Sequence, residues 1–338
     1  MVTGGAGFIG SHAVLALRDH GREVVVIDDL SNSDLAAIPE GVAFHKGDVA
    51  DADFVSALVQ RHGVGLVLHL AGSVSAGESL QRPLDYHRNN TLASEALAKA
   101  CAQAGVRKFI FSSSAAVYGE SAGSPLREDT PPAPITPYGL SKLATERMLA
   151  DLSAACPGFE AVSLRYFNVA GADPAGRAGR RGRAGDALVD RAVDAALGYR
   201  GPLDIWGADY DTRDGAGERD YIHVSDVADA HLAAIRYLES GGRSVVLNCG
   251  SGRGHTVLEV VATLEAILGR RIPQTPGPRR AGDVGSAVGD VTRLAATLGW
   301  RPRLDDLGAI LRSALVWRSL MGRVDASGPE QAAIRRIA

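Results

Sequence analysis

Val2-Thr3-Gly4-Gly5-Ala6-Gly7-Phe8-Ile9-Gly10 opens the chain, with glycines at 4, 7 and 10 between a short β-branched run and an apolar helical stretch. Glycine at these places lets the backbone turn tightly and approach a pyrophosphate, whose charge then rests on a helix N-terminus. Alone the pattern is weak, because any tight strand-to-helix turn favours glycine. Its surroundings strengthen it. The next β-branched run ends in Ile27-Asp28, close to the roughly 20-residue spacing at which a dinucleotide fingerprint places an acid. Asp28 would accept hydrogen bonds from a ribose 2′-hydroxyl and repel a 2′-phosphate, which favours NAD over NADP. A solvated turn at the strand end is the other reading of Asp28.

Working outward, strand patterns at 23–28, 42–47, 65–70, 107–112 and 160–165 alternate with helical patterns at 8–20, 51–62, 84–104 and 137–155. That alternation predicts an α/β fold: a Rossmann-type, doubly wound parallel sheet with ligands at the carboxyl ends of its strands. Only Met1, Val2 and Thr3 precede Gly4, so the opening strand is short. The second half is less regular. Residues 171–185 form a Gly/Arg/Ala-rich loop, and helical patterns return at 186–199, 225–239, 256–269 and 304–321. The expected division is a dinucleotide-binding domain over 1–170, with sheet strands returning from the second half. A smaller, interleaved α/β substrate lobe over 171–322 and a patternless tail over 323–338 complete it.

Composition narrows the class. The 338 residues are 46% hydrophobic with a formal charge of −3, the profile of a soluble globular enzyme. Neither a nucleic acid nor a membrane is expected as partner, since no basic excess exists and no apolar run reaches roughly 18–20 residues. No signal peptide is visible ahead of the glycine turn. Cys101, Cys156 and Cys249 are odd in number and lack metal-ligand spacing, so neither disulfides nor a metal site are expected, and a reduced cytosolic setting is.

Ser114 and Tyr138-Gly139-Leu140-Ser141-Lys142 carry the chemistry. Tyrosine and lysine four apart project from one helix face. A phenol is a poor base near its unperturbed pKa of about 10. A neighbouring ammonium and a nicotinamide cation would both favour the phenolate. The phenolate could then take a proton from a sugar hydroxyl while hydride leaves the same carbon. Ser114 could hydrogen-bond that oxygen. A solvated helix face is the alternative for the Tyr/Lys pair alone.

With these motifs in place, the chain resembles the UDP-galactose 4-epimerase family of extended short-chain dehydrogenases/reductases. The resemblance is carried by 2–12, 26–33, 71–90, 109–119, 137–142, 164–171, 219–229 and 279–283. It implies hydride transfer from sugar C4 to NAD, rotation of a 4-keto sugar, and return of hydride to the other face. On the cofactor side it implies Gly4, Gly7, Phe8, Ile9, Gly10, Asp28, Asp29, Asn32 and Ser33, then Asp48 and Val49 by the adenine. Leu70, Ala71 and Gly72 would lie by the pyrophosphate, with Asn89, Tyr138, Lys142 and Tyr166 completing the set. On the substrate side it implies Ser114, Tyr138, Phe167, Asn168, Leu188, Arg219, Arg280, Asp283 and Ala287 around a UDP-sugar. It also implies a homodimer packed through 84–104 and 137–155. Turn chemistry at Asp48 and Asn168, and helix capping by Asn89, are the plainer alternatives. His223 and His231 are expected to be structural.

Sister reactions need acids that this chain lacks. The 4,6-dehydratases carry Asp-Glu just before Val-Tyr-Gly, and UDP-glucuronate decarboxylases a Glu in the second of those positions; here the pair is Ala115-Ala116. Epimerisation, which needs no further acid, survives. There are also departures from the family. Val74 replaces a lysine found in some members. Ala187 stands where an amide would bond the diphosphate, with Asp186 beside it, so UDP-sugar binding should weaken unless Arg177, Arg180, Arg181 or Arg183 compensates. The plainer expectation for those arginines is a mobile, solvated loop. Ala287 leaves room at the sugar C2 substituent, so UDP-N-acetylhexosamines become candidate substrates. Another UDP-sugar such as a pentose, or a non-catalytic NAD-binding homologue, are the remaining alternatives.

Overall fold

The computed structural model describes residues 1–120, 124–181 and 187–325, with side chains to 322; Arg183, Asp186 and the tail 326–338 lie outside the described residues. Its strands are β1 (Val2–Thr3), β2 (Val25–Asp28), β3 (Ala43–Lys46), β4 (Leu66–His69), β5 (Lys108–Ser114) and β6 (Glu160–Tyr166). They continue as β7 (Asn168–Ala170), β8 (Leu203–Trp206), β9 (Glu218–His223), β10 (Val245–Cys249), β11 (Gly254–Thr256), β12 (Gln274–Gly277) and β13 (Ser286–Ala287). The helices are α1 (Phe8–Asp19), α2 (Ala52–His62), α3 (Ala76–Gln81), α4 (Pro83–Tyr86), α5 (Ala93–Gln103) and α6 (Pro137–Ala155). After them come α7 (Leu188–Ala196), α8 (Val224–Glu239), α9 (Val257–Leu268), α10 (Thr292–Leu298) and α11 (Leu307–Asp325).

Seven strands make one parallel sheet in the order β10-β6-β5-β4-β1-β2-β3. The order reverses between β1 and β4, the place where doubly wound sheets open a crevice at the strand ends. Burial on both faces explains why β2, β4, β5 and β6 read as apolar runs rather than as alternation. Short as it is, β1 is paired on both sides, Val2 standing between Val26 and Leu68. The N-terminal ammonium donates to the Leu66 carbonyl at 2.8 Å.

Local signals set the helix ends. The Asp51 side chain accepts from Phe54 N–H to start α2, which ends at left-handed Gly63. Thr136 caps α6 with Pro137 in its first turn. Thr256 and Glu259 form a reciprocal capping box on α9, satisfying amides that a helix start leaves unpaired.

In the second half, β9 pairs with β7, β11 and β13, while β8 and β12 form a separate parallel pair. Helices α7, α9 and α11 bury Val193, Leu264 and Leu311 together. β10 joins the large sheet beside β6, and α8 buries Val227 and Ile235 with Val14 of α1.

Candidate active site

The glycine turn is built for close approach. Gly4 takes φ +69°, and a Cβ on it would stand 2.6 Å from Ala71 N. A Cβ on Gly10 would stand 2.1 Å from the Gly4 carbonyl oxygen. Bare backbone thus faces the carboxyl ends of β1 and β4 at the start of α1. Ile9 packs on the core beneath, and the Phe8 ring meets His12 edge-on. Asp28, buried at the end of β2, accepts from Ala6 N–H (3.0 Å), Leu30 N–H (2.9 Å) and the Ser33 hydroxyl (2.6 Å). Its carboxylate therefore ties the β2 loop to the glycine turn. Asp29 closes a turn on Ser31, Asn32 is exposed beside it, and Asp48 accepts from Ala50 N–H, with Val49 buried next to it. Leu70 and Ala71 lead from β4 into Gly72, whose added Cβ would come within 3.9 Å of Lys142 Nζ.

Asn89 does not begin a helix. It lies within a π-helical turn, His87–Leu92, that continues α4 into α5, and donates to Ser73 Oγ at 3.3 Å. The residue that sequence reading passed over is its neighbour. Asn90 is buried, accepts from Ser73 N–H at 2.8 Å, and donates to the Ser73 carbonyl and Ser141 Oγ at 3.0 Å each. It clamps the turn after Gly72 onto α6. The paired amides at 89–90 were the available signal.

Ser114 ends β5 and accepts from Ala116 N–H at 3.1 Å. A Cβ on Gly139 would stand 2.4 Å from the Ala116 carbonyl oxygen, so the first turn of α6 rests directly on Ala115-Ala116. Tyr138 is thereby held beside Ser114, with buried Tyr86 edge-on to its ring at 6.2 Å. Lys142 is 3% exposed. Its ammonium donates to the Ser112 carbonyl at 2.8 Å and lies 5.9 Å from the Tyr138 ring centre. Burial pulls Lys142 down to about 8, with the Glu146 carboxylate pulling the other way. Burial pushes Tyr138 above its ordinary value, opposed by its hydrogen bond with Ser114. Desolvation thus opposes the phenolate that the ammonium and a nicotinamide cation are together expected to favour. His69, sandwiched between Thr3 and Ser94, is driven to about 3 by burial, with Lys142 adding to the effect. It is a neutral core ring.

Tyr166 faces Ser114 in the β5–β6 register, and its hydroxyl meets His231 at 2.5 Å. A role toward a cofactor is left to its ring and backbone. Phe167 is buried among Val117, Tyr118, Leu126 and Leu143, with Ala287 packed against them. Asn168 is exposed opposite Tyr221, and Arg219 faces Ala287 in the β13–β9 pair. Arg280 pairs with Asp283 (3.0 Å) rather than each standing free, and lies 5.8 Å over the Trp206 ring. Arg279 covers the ring of Tyr210 at 4.3 Å. Tyr210 had no sequence signal; its buried hydroxyl has no hydrogen-bond partner and sits among Arg219, Arg279 and Arg280. Leu188 starts α7, and Ala187 before it gives no side-chain cap.

The arginine loop is not a solvated one over its described part. Arg177 grips Asp19 (2.9 Å) and Asp173 (3.0 Å). Arg180 pairs with Asp190 (2.5 Å) and lies 4.2 Å over the Phe8 ring. Arg181 lies over Trp317 and reaches Asp34 at 3.8 Å. Ala178 is buried, and a Cβ on Gly179 would collide with the Trp317 indole.

Comparison with known proteins agrees with this geometry. The family model described as NAD dependent epimerase/dehydratase matches residues 1–250. A UDP-glucose 4-epimerase of Azospirillum brasilense is 51% identical over 329 residues, covering 97% of this chain and 94% of the relative. A Stenotrophomonas maltophila UDP-glucose 4-epimerase, solved with bound NAD and formylated UDP-arabinopyranose, superposes with TM-score 0.92 at 39% identity, covering 96% of this chain and 98% of that one. The UDP-Glc/GlcNAc 4-epimerase of Campylobacter jejuni superposes with TM-score 0.82 at 41% identity, covering 94% and 98%.

Proposed function

The chain belongs to the NAD-dependent epimerase/dehydratase family, and from that premise we propose that it interconverts UDP-glucose and UDP-galactose through a 4-keto sugar. NAD is its cofactor; when bound it accepts hydride from sugar C4 and gives it back. The residues fit that group, since Gly4 and Gly10 leave a cradle that any Cβ would fill, and Asp28 stands at the ribose end of the turn.

The single observation that carries the reading is the meeting of Ser114, Tyr138 and Lys142 at the end of β5, with only alanines at 115 and 116. Tyr138 takes the proton from the sugar O4 and returns it. Ser114 hydrogen-bonds the same oxygen. Lys142, buried with a protonated amine favoured by Glu146, supplies positive charge behind the phenol. Burial alone opposes the phenolate; the Lys142 ammonium and, when NAD is bound, its nicotinamide cation would favour it. Arg219, Arg280 with Asp283, and Asn168 hold the diphosphate and ribose, guanidinium forks matching phosphate oxygens.

A second reading is favoured by Ala287. A methyl side chain beside Arg219 leaves space at the sugar C2, so UDP-N-acetylhexosamines are accepted as well. We also place the protein in the cytosol, consistent with three free cysteines, and as a homodimer through α4–α6. No helix among the described residues is long and apolar enough to cross a membrane. The test is NMR of the protein mixed with UDP-galactose: UDP-glucose must appear without added reductant. Its absence from a correctly folded, NAD-loaded protein would leave the 4-epimerase of another UDP-sugar or a non-catalytic binder.

A further inference from the structure

Behind the reacting groups lies a buried ion pair, of which the mechanism above uses only the charge of Glu146 and not its partner Arg165. Glu146 stands on α6, one turn beyond Lys142 and two beyond Tyr138. Arg165 of β6 grips its carboxylate with both prongs, Nε to Oε1 at 2.9 Å and Nη2 to Oε2 at 2.7 Å. The two side chains are 6% and 4% exposed. The Ser113 hydroxyl donates to the same carboxylate. Arg165 also donates to the Tyr118 hydroxyl at 2.9 Å, which donates onward to Asn248 Oδ1 of β10 at 2.6 Å.

Every anchor of this pair adjoins a group at the reacting centre. Ser113 precedes Ser114, Arg165 precedes Tyr166, and Glu146 follows Lys142 on one helix face. A buried ion pair is a poor device for stability alone, because an apolar pair of the same size often serves as well or better. Its location supplies another use.

We propose that Glu146 and Arg165 are positioning residues for the reacting centre: they fix α6 against β5 and β6, and the Glu146 carboxylate, offset by the Arg165 guanidinium, sets the charge that Lys142 meets one turn away. The proposal rests on the epimerase reading. The groups around Lys142 are Tyr138 and Glu146 on its own helix, the neutral His69 on β4, and the Ser112 carbonyl and Phe111 ring of β5, with Arg165 of β6 behind Glu146. Burial already brings Lys142 to about 8, so a small change in local charge moves its titration into the assayable range. Neutralising Glu146 leaves the guanidinium uncompensated and disfavours the ammonium. Neutralising Arg165 leaves a lone carboxylate one turn away and favours it.

The two substitutions therefore act in opposite directions, which a merely structural role would not produce. The experiment is the pH dependence of kcat for the NAD-loaded enzyme with UDP-galactose. In Glu146→Gln the alkaline limb moves down by about one pH unit, and in Arg165→Met it moves up by about one. kcat falls at least about tenfold in both, as misplaced reacting groups cost rate, while KM stays within about twofold because neither residue touches substrate. If either single variant fails to fold, the double variant Glu146→Met/Arg165→Met, which buries no orphan charge, takes its place. Low kcat with unchanged KM in that variant supports the positioning role, and wild-type kcat overturns it. Limbs that stay put, or move together, overturn the charge role. A wild-type protein that loads NAD but converts no UDP-galactose overturns the epimerase reading, and this proposal with it.

Discussion

Ala287 faces Arg219 across the parallel β13–β9 pair, and its methyl packs toward the Phe167–Tyr118 cluster. If Arg219 holds the diphosphate as proposed, a residue between it and this cluster sets the room left for the sugar. Ala287→Tyr is therefore expected to abolish turnover of UDP-N-acetylglucosamine while UDP-galactose turnover changes by less than about tenfold, the difference expected when one pocket loses room for a substituent. A coupled assay on both substrates checks it; equal loss on both would show that Ala287 does not gauge the C2 group.

Tyr138→Phe removes the proton acceptor and little else, since the ring keeps its contact with Tyr86. kcat should drop about 10²–10⁴-fold, with NAD still present in the purified protein by absorbance after denaturation. A variant retaining more than a tenth of the activity would move the base elsewhere.

Gly10→Ala forces a methyl to within 2.1 Å of the Gly4 carbonyl. Overpacking of this kind costs typically about 1–3 kcal/mol, and here it also deforms the cofactor turn, so NAD content should fall with stability. Gly65 has open space around an added Cβ, and Gly65→Ala should shift stability by less than about 0.5 kcal/mol. Similar behaviour of the two variants would contradict the close approach described at Gly10.

Burial draws His69 down to about 3 and His223 and His231 to about 4. Their folded values are depressed, so the stability they contribute is complete above the unfolded value near pH 6.5. It is lost as pH falls, because the unfolded chain binds protons that the folded one refuses. Each ring contributes a slope of up to about 1.4 kcal/mol per pH unit in that window. Asp220 and Asp226, raised by burial, act oppositely, favouring the fold as pH falls through their folded values. Urea midpoints should fall clearly between pH 7 and pH 5; a flat profile there would mean that these rings titrate normally.

Leu84, Leu92 and Leu140 stand 76%, 58% and 46% exposed on the α4–α6 face. Apolar residues grouped on adjoining helices mark an association surface. Light scattering should give the mass of two chains, and Leu84→Glu/Leu92→Glu the mass of one. A monomeric parent protein would remove the dimer proposal.

Much of this architecture can be read from residue order. The large sheet follows from β-branched runs buried on both faces, and α6 from Thr136, Pro137 and its length. Glycine spacing found the bare-backbone turn at the start of α1, and the four-residue step found the pairing of Tyr138 with Lys142. What stayed illegible depends on partners distant in the chain. β12 reads Gln-Thr-Pro-Gly and is a strand only because β8 lies beside it. Asn90 looks like any polar helix residue until Ser73 and Ser141 close around it. Arg177, Arg180 and Arg181 look like solvated charge, since their partners Asp19, Phe8 and Asp34 lie far earlier in sequence. The desolvation of Tyr138 is illegible for a related reason: spacing reveals a neighbouring ammonium but not the dryness around a phenol.

That arginine segment stitches the second half of the chain to the rim of the first. Arg177 holds the far end of α1, Arg180 its beginning, and Arg181 the bend after β2. Shifting the turn at the start of α1 thus means unpicking contacts made by residues from the second half of the chain. The Arg177–Asp19 stitch is nearly half open to solvent on both sides, at 44% and 48%, so salt weakens it readily. Salt reaches the dry Glu146–Arg165 contact far less. Ionic strength accordingly loosens the stitch between the two halves of the chain before it reaches the pair behind Tyr138 and Lys142.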